Sequence, residues 1–194
     1  MNSKNIVSLA DPINAQDAAT KIYVDSVAQG LDVKASVLAA TTSTLAVASG
    51  GTTSYNNGSN NGVGATITTT GSYTTIDGVS IAAVGTRILV KNESNAAWNG
   101  IYTYTSSTVL TRSIDFDTSS EMPSAFTFVE EGTSLADTGW VCTTNTAIIV
   151  GTTNITFSQF SGAGTYSAGT GLTLTGTTFS VNASQTQITS VGTL

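Results

Sequence analysis

The sequence predicts a mainly β protein with one short helix near its N-terminus, and three observations support this fold class. Short segments alternate apolar with polar side chains, which is the period of a strand with one buried face. Turn dipeptides such as Asp77-Gly78 and Asn99-Gly100 lie between apolar segments. Only residues 11–30 carry the pattern of a helix. Short strands without intervening helices favour a globular β-sandwich or barrel-like domain.

The first element is the helix predicted in DPINAQDAATKIYVDSVAQG, residues 11–30. Asn14 is placed to cap it, Asp17 favours the positive helix end, and Gly30 is a stop signal. One stripe of the helix is apolar and forms a predicted self-association seam: Ala15, Ala18, Ala19, Ile22 and Val27. A helix of this length is marginal alone, so it needs a partner. It either docks on the β-domain or pairs with copies of itself in a parallel coiled coil, which the small seam residues favour.

The second part, residues 32–161, contains the predicted strands of a globular β-domain. They lie in TRILVK, IYTYT, TVLTRS, SAFTFVEE, TGWVCTT, TAIIVG and NITFSQF. Alternation places pairs of apolar residues on one strand face: Ile88 with Val90, Tyr102 with Tyr104, Phe126 with Phe128, Trp140 with Cys142, and Ile155 with Phe157. Asp77-Gly78 and Asn99-Gly100 predict type I′ hairpins. The Gly/Asn/Ser-rich residues 49–65 lack an apolar period and predict a long exposed loop.

The third part, residues 162–194, alternates threonine with apolar residues such as Leu172 and Val181 and is punctuated by glycine. Such thin strands bury too little apolar surface to fold alone. Fibrous β-structure threaded together with other copies would solve this problem, and disorder is the alternative. We expect the pattern to continue beyond Leu194.

Composition excludes several classes of function. The net charge is −6, histidine is absent and the six basic residues are scattered, so we predict no nucleic-acid binding and no histidine-dependent catalysis. No apolar run is long enough to insert into a membrane, and the first residues lack the apolar core of a secretory signal. Cys142 is the only cysteine, and its strand-like context predicts a buried, inert thiol.

The segment LADPINAQDAATKIYVDSVAQGLDVKASVLAATT, with its string P-x-x-x-Q-D-A-A-T-K-x-Y-V-D, resembles the helical connector of tail-fibre proteins of tailed bacteriophages. The downstream motifs TIDGV, GTRILVKNESNAAWNGIY, LTRSIDFD and FTFVEEGTSLADTGWVCTT follow in an order similar to that group. The resemblance covers roughly residues 8–182. Residues 49–65 look like an insertion, and Trp98 stands where a polar residue is expected.

The resemblance implies a homotrimeric virion fibre segment: residues 1–31 with a short trimeric coiled coil, a globular β-domain, and a β-rich continuation towards the distal tip. It implies a structural, non-enzymatic role, contacts with other virion tail or baseplate proteins, and synthesis in the host cytoplasm with release by lysis. One alternative is an adhesin that binds a host surface glycan through Tyr55 and Trp98. Another is a polysaccharide depolymerase with Asp115 or Glu130 as the acid; Glu130 and Glu131 alone would face opposite ways on a strand and form a poor dyad.

One acidic segment, RSIDFDTSSE, is the only candidate for a metal site. Its oxygen-bearing side chains form a weak calcium pattern: Asp115, Asp117, Ser119 and Glu121. The glycine and the glutamate that complete a calcium loop are replaced by Ser120 and Phe126. We therefore predict no metal and no cofactor, and a loop braced by Arg112 pairing with the aspartates.

Overall fold

The computed structural model describes residues 10, 12, 17–20, 32–145, 147–161, 168–175, 178–186 and 188. Most of the predicted helix, with the seam residues Ala15, Ile22 and Val27, lies outside the described residues. Ala18 and Ala19 are described; both are exposed and lie outside any helix in the single chain. The coiled coil therefore stays a prediction.

The described residues are mainly β, which confirms the mainly β character predicted from the sequence. The strands are β1 Asp32–Val33, β2 Ala39–Ala40, β3 Thr53–Asn56, β4 Thr66–Thr69, β5 Thr75–Ile76, β6 Val79–Ser80, β7 Arg87–Val90, β8 Gly100–Ser106, β9 Val109–Arg112, β10 Ala125–Val129, β11 Thr138–Cys142, β12 Phe157–Ser161, β13 Leu172–Thr175 and β14 Thr178–Val181. The described helices are short: α1 Leu45–Ser49 and two 3-10 turns at Ala96–Trp98 and Ser119–Glu121.

Two sheets form the body of the first compact unit, Met1–Ser161. The larger sheet has the order β2-β7-β8-β9-β4-β3, and the smaller has the order β1-β10-β11-β12. β5 and β6 form a separate hairpin. The second unit, Gly162–Leu194, contains the antiparallel pair β13 and β14.

Two apolar clusters cover opposite faces of the six-stranded sheet. The first joins that sheet to the four-stranded sheet: Val37, Ala40, Leu89, Ile101, Phe116, Met122, Ala125, Val129, Cys142, Ile148, Val150 and Ile155. The second lies beneath α1 and the β5–β6 hairpin: Ala39, Leu45, Ile67, Tyr73, Ile76, Ile81, Ile88, Val90, Tyr102, Tyr104 and Leu110. Strands β2, β7 and β8 contribute residues to both clusters, so this part of the six-stranded sheet lies between them.

The strand periodicity is largely confirmed. Ile88 and Val90 share the second cluster, and Tyr102 and Tyr104 join them there. Cys142 is free and buried in the first cluster, and Trp140 packs against it. Trp140 is half-buried rather than enclosed, and the Lys91 ammonium lies 4.4 Å from the centre of its ring.

The strand predicted in TAIIVG is wrong. The backbone N–H groups of Thr152 and Thr153 both donate to the carbonyl of Ile149, and the Ile149 N–H donates to the Thr153 hydroxyl. These local bonds close a turn, which takes the place of a pairing ladder.

One of the two predicted hairpins is confirmed. Asp77 and Gly78 join β5 to β6 with φ of 48° and 80°, as a type I′ turn requires. The prediction at Asn99-Gly100 is wrong, because Asn99 is a buried anchor. Its side-chain oxygen accepts from the Glu93 N–H, and its amide donates to the carbonyl of Ile155. The connection from β7 to β8 therefore runs through residues 91–99.

The long exposed loop predicted at residues 49–65 is also wrong in part. Thr53–Asn56 form β3, which pairs antiparallel with β4 in the register Tyr55 to Ile67. Gly62 and Ala65 are buried. Threonine and tyrosine favour strands, but the surrounding glycine and asparagine obscure that signal.

Helix α1 was not predicted because its five residues are too short to show a period. Its ends nevertheless follow capping rules: the Thr44 hydroxyl accepts from the Val47 N–H, and Gly50 follows in the left-handed conformation at φ 67°. The helix places Leu45 over the second cluster.

Glu93 lies beneath α1, where its side-chain oxygen accepts from the Leu45 N–H at 2.7 Å. Burial raises the pKa of this carboxyl, although hydrogen bonds from Leu45 and Thr53 oppose the shift. The free energy of unfolding should therefore fall as pH rises from the ordinary glutamate pKa through the raised one, because the unfolded chain then releases the proton more readily.

We expect Glu93→Gln to remove this part of the pH dependence, because glutamine keeps the acceptor without a charge. The matched control is Glu131→Gln, whose side chain is exposed. Thermal melts from about pH 4 to 8 measure the difference. A Glu93→Gln profile parallel to that of wild type would contradict the prediction.

Candidate binding site beside Tyr55 and Trp98

Three loops converge beside β3: residues 57–64, 113–121 and 148–153. The Asn57 amide donates to the Val150 carbonyl at 3.0 Å and so ties the first loop to the third. Gly62 of the first loop contacts the other two so closely that no side chain would fit. A Cβ there would lie 2.3 Å from the carbonyl oxygen of Asp117 and 2.8 Å from Val150 Cγ1. The loops are therefore packed on one another.

Tyr55 and Trp98, the two residues predicted from sequence as glycan contacts, are brought together. Their rings stack with centres 5.7 Å apart and planes inclined by 12°. Both side chains are half-buried and pack against the second apolar cluster. The Tyr55 hydroxyl donates to the side-chain oxygen of Asn57 at 3.0 Å. Since each ring covers one face of the other, the pair offers less open aromatic surface than two separate residues would.

Arg112 lies next to this stack and is the largest fully buried side chain among the described residues. Its Nη1 donates to the Asn99 carbonyl at 3.1 Å, and its guanidinium carbon lies 4.8 Å from the centre of the Tyr102 ring. Its Nε has no hydrogen-bond partner among the described residues. Carbonyl and aromatic groups therefore hold this charge.

The predicted pairing of Arg112 with the aspartates is wrong. Asp115 pairs instead with Arg87, whose Nη1 and Nη2 donate at 3.1 and 2.8 Å. The reason is strand alternation: Leu110 and Arg112 occupy the buried face of β9. This face carries Arg112 into the domain, where its side chain is fully buried.

The weak metal candidate is not assembled. The Glu121 carboxylate accepts from the N–H groups of Asp117 and Thr118, at 3.1 and 3.0 Å, and thus caps the short turn that follows. Asp115 is engaged by Arg87. Burial, and next the charge of Glu121, raises the pKa of Asp117. Within the described ranges no three acidic, histidine or cysteine side chains could hold one metal ion.

We therefore expect EDTA to leave the melting temperature of the protein unchanged within about 1 °C, because the described loops present no set of side chains that could hold an ion. Thermal melts with EDTA, and with calcium added back in excess, measure this directly. A drop of several degrees that calcium reverses would contradict the prediction.

A cleft of about 200 Å³ opens where the three loops meet. Its lining consists of two asparagines, two hydroxyl residues and an aliphatic wall: Asn60, Asn61, Thr118, Ser119, Ile148, Ile149 and Val150. Asn60 and Asn61 both have positive φ, 49° and 56°, a conformation that asparagine tolerates well. Amide and hydroxyl groups facing an apolar wall suit a small polyhydroxylated ligand.

The sequence pattern does not predict this cleft, although the Asn-Asn-Gly triplet at residues 60–62 signals a special turn. The carboxylate of Glu130, one of the two candidate acids for a depolymerase, accepts a hydrogen bond from the Ser36 hydroxyl.

No family model, no curated protein and no solved structure matches the chain. Among the described residues, no helix has the length and apolar character needed to cross a membrane.

Proposed function

We propose that this chain is a structural, non-enzymatic component of a bacteriophage virion fibre of the tail-fibre type. In this proposal three copies join through a coiled coil at residues 15–28, and each carries a sandwich-like β-domain followed by a β-rich fibrous segment. The observation that carries the proposal is the string P-x-x-x-Q-D-A-A-T-K-x-Y-V-D with its apolar seam, placed directly before a β-domain.

The second unit supports a fibrous continuation. β13 and β14 pair in register from Leu172 with Val181 to Thr175 with Thr178. Leu172 and Val181 are exposed in the single chain. A two-stranded pair is marginal in water, and burial against neighbouring copies would stabilise it. The proposed partners are accordingly further copies of this chain and other tail or baseplate proteins, assembled in the host cytoplasm and released by lysis.

The seam is tested by Ile22→Asp, compared with Gln16→Asp as a control at another face of the predicted helix. Three carboxylates would meet in the seam of the first variant, and burying unpaired charge is costly. We expect Ile22→Asp to weaken assembly and Gln16→Asp to assemble like wild type, as measured by sedimentation velocity. Equal assembly of both variants would contradict the proposed seam.

A second candidate function is glycan binding at the cleft, because amide and hydroxyl groups face the exposed aliphatic side chain of Ile149. A panel of bacterial surface polysaccharides, immobilised as an array, is the probe. We expect Ile149→Asp to abolish a signal that Ile114→Asp, at an exposed site outside the cleft lining, retains. Absence of any polysaccharide signal from wild type would contradict this second candidate.

A further inference from the structure

The four-stranded sheet has one face on the first apolar cluster and one face turned away from it. We call the second the outer face. Aligned strand positions place Val33, Phe126, Val141 and Ser158 in one row across it. Phe128 lies on the same side of β10, two residues after Phe126. The alternation that buries Ala125, Thr127 and Val129 thus turns the phenylalanines outward.

Phe160 completes the outer face. Phe160 lies two residues after Ser158 on β12 and so on the same, outer side. Its ring meets the Phe126 ring edge to face, with centres 5.8 Å apart and planes at 82°. Gly139, in the strand between them, has no side chain to keep the two rings apart.

Much of this apolar surface is exposed in the single chain. Val33 is 72%, Phe160 62% and Phe128 38% exposed, and Phe126 and Val141 are half-buried. Single exposed apolar residues are common, but a contiguous group with three phenylalanines marks a contact surface.

We propose that the outer face binds a second copy of this chain and forms the contact between β-domains. This inference rests on the proposed trimer, and it adds to it the surface through which the domains touch.

The position of β1 indicates which partner covers the outer face. Val33 lies six residues after Val27, the last residue of the predicted seam. Six residues span at most about 20 Å when fully extended. A coiled coil on the threefold axis therefore keeps β1, and the outer face to which it belongs, close to that axis. The other copies of the chain are then the nearest large surfaces.

The chemistry of the outer face also suits contact between identical copies. Its aligned positions, Val33, Phe126, Val141 and Ser158, carry no charge, and neither do Phe128 and Phe160. Two identical charged faces would repel each other, whereas apolar faces gain by excluding water. The charged neighbours Asp32 and Lys34 pair with each other at 2.7 Å.

The experiment uses the full chain with Phe160→Cys, and Ile114→Cys as the matched control. Ile114 is 86% exposed and lies in the loop after β9, and the native Cys142 is buried. We measure the rate of maleimide labelling of each introduced thiol, and the mass of each variant by sedimentation. We expect a trimer in which the thiol of Phe160→Cys labels at least about tenfold more slowly than that of Ile114→Cys, because the covered site opens only rarely. Adding Ile22→Asp should dissociate the trimer and restore fast labelling.

The other outcomes are distinguishable. A trimer in which both thiols label equally fast would overturn the inference and leave the proposed trimer standing. A monomer would overturn both. Slow labelling that persists after Ile22→Asp has dissociated the chains would show that a segment of the same chain covers the face, and would also overturn the inference.

Discussion

Gly62→Ala is expected to destabilise the β-domain by about 3 kcal/mol or more, because strain and overlap add at one position. Its φ of 134° is one that residues with a side chain rarely adopt. An added Cβ would overlap the Asp117 carbonyl oxygen at 2.3 Å, and backbone cannot move aside as a flexible side chain can. The loops at 57–64 and 113–121 would have to separate.

The matched control is Gly64→Ala, two residues away. Gly64 also has a positive φ, 69°, but a Cβ there would meet nothing within 4 Å. It should cost only about 1 kcal/mol, which is the conformational penalty alone. Denaturant unfolding of both variants measures the difference. Equal losses would show that residues 57–64 do not pack as described.

Phe116→Ala is expected to destabilise the domain by about 3–5 kcal/mol, the cost of emptying a large aromatic site in a core. Phe116 is fully buried in the first cluster. Its ring centre lies 5.8 Å from that of Phe157, and the guanidinium carbon of Arg112 lies 6.0 Å from it on the side of the six-stranded sheet. The loop that carries the acidic residues is thus anchored by this ring.

Ile114→Ala is the control for this variant, since Ile114 belongs to the same loop but is exposed. It should change the free energy of unfolding by no more than about 0.5 kcal/mol. Equilibrium denaturation in urea, followed by tryptophan fluorescence, gives both values. A loss below about 1 kcal/mol for Phe116→Ala would mean that neighbouring side chains refill the cavity or that the ring is not enclosed.

The sequence predicts the strands well where alternation is strong and poorly where polar residues form the sheet. Ile88 and Val90 reveal their strand because a buried face must be apolar. β3 has no such face: Thr53 and Tyr55 are half-buried, and Ser54 and Asn56 are exposed. It forms a strand because it pairs with β4, and a local sequence pattern does not show this tertiary interaction.

The candidate site, like the strands, is predicted from the sequence only in part. The sequence indicates Tyr55 and Trp98 only as separate aromatic residues, and their stacking depends on the pairing of β3. The predicted partner of Asp115 is Arg112, three residues away, but the observed partner is Arg87 on β7. Arg112 is nearer to Asp115 in sequence, but strand alternation buries Arg112 in the domain.

Sedimentation equilibrium of the full chain at micromolar concentration tests the proposed assembly most directly. A homotrimeric fibre segment predicts a mass of about 59 kDa, three times the 19.7 kDa of one chain. A single species of 19.7 kDa would contradict the trimer, and with it the fibre role proposed for the chain.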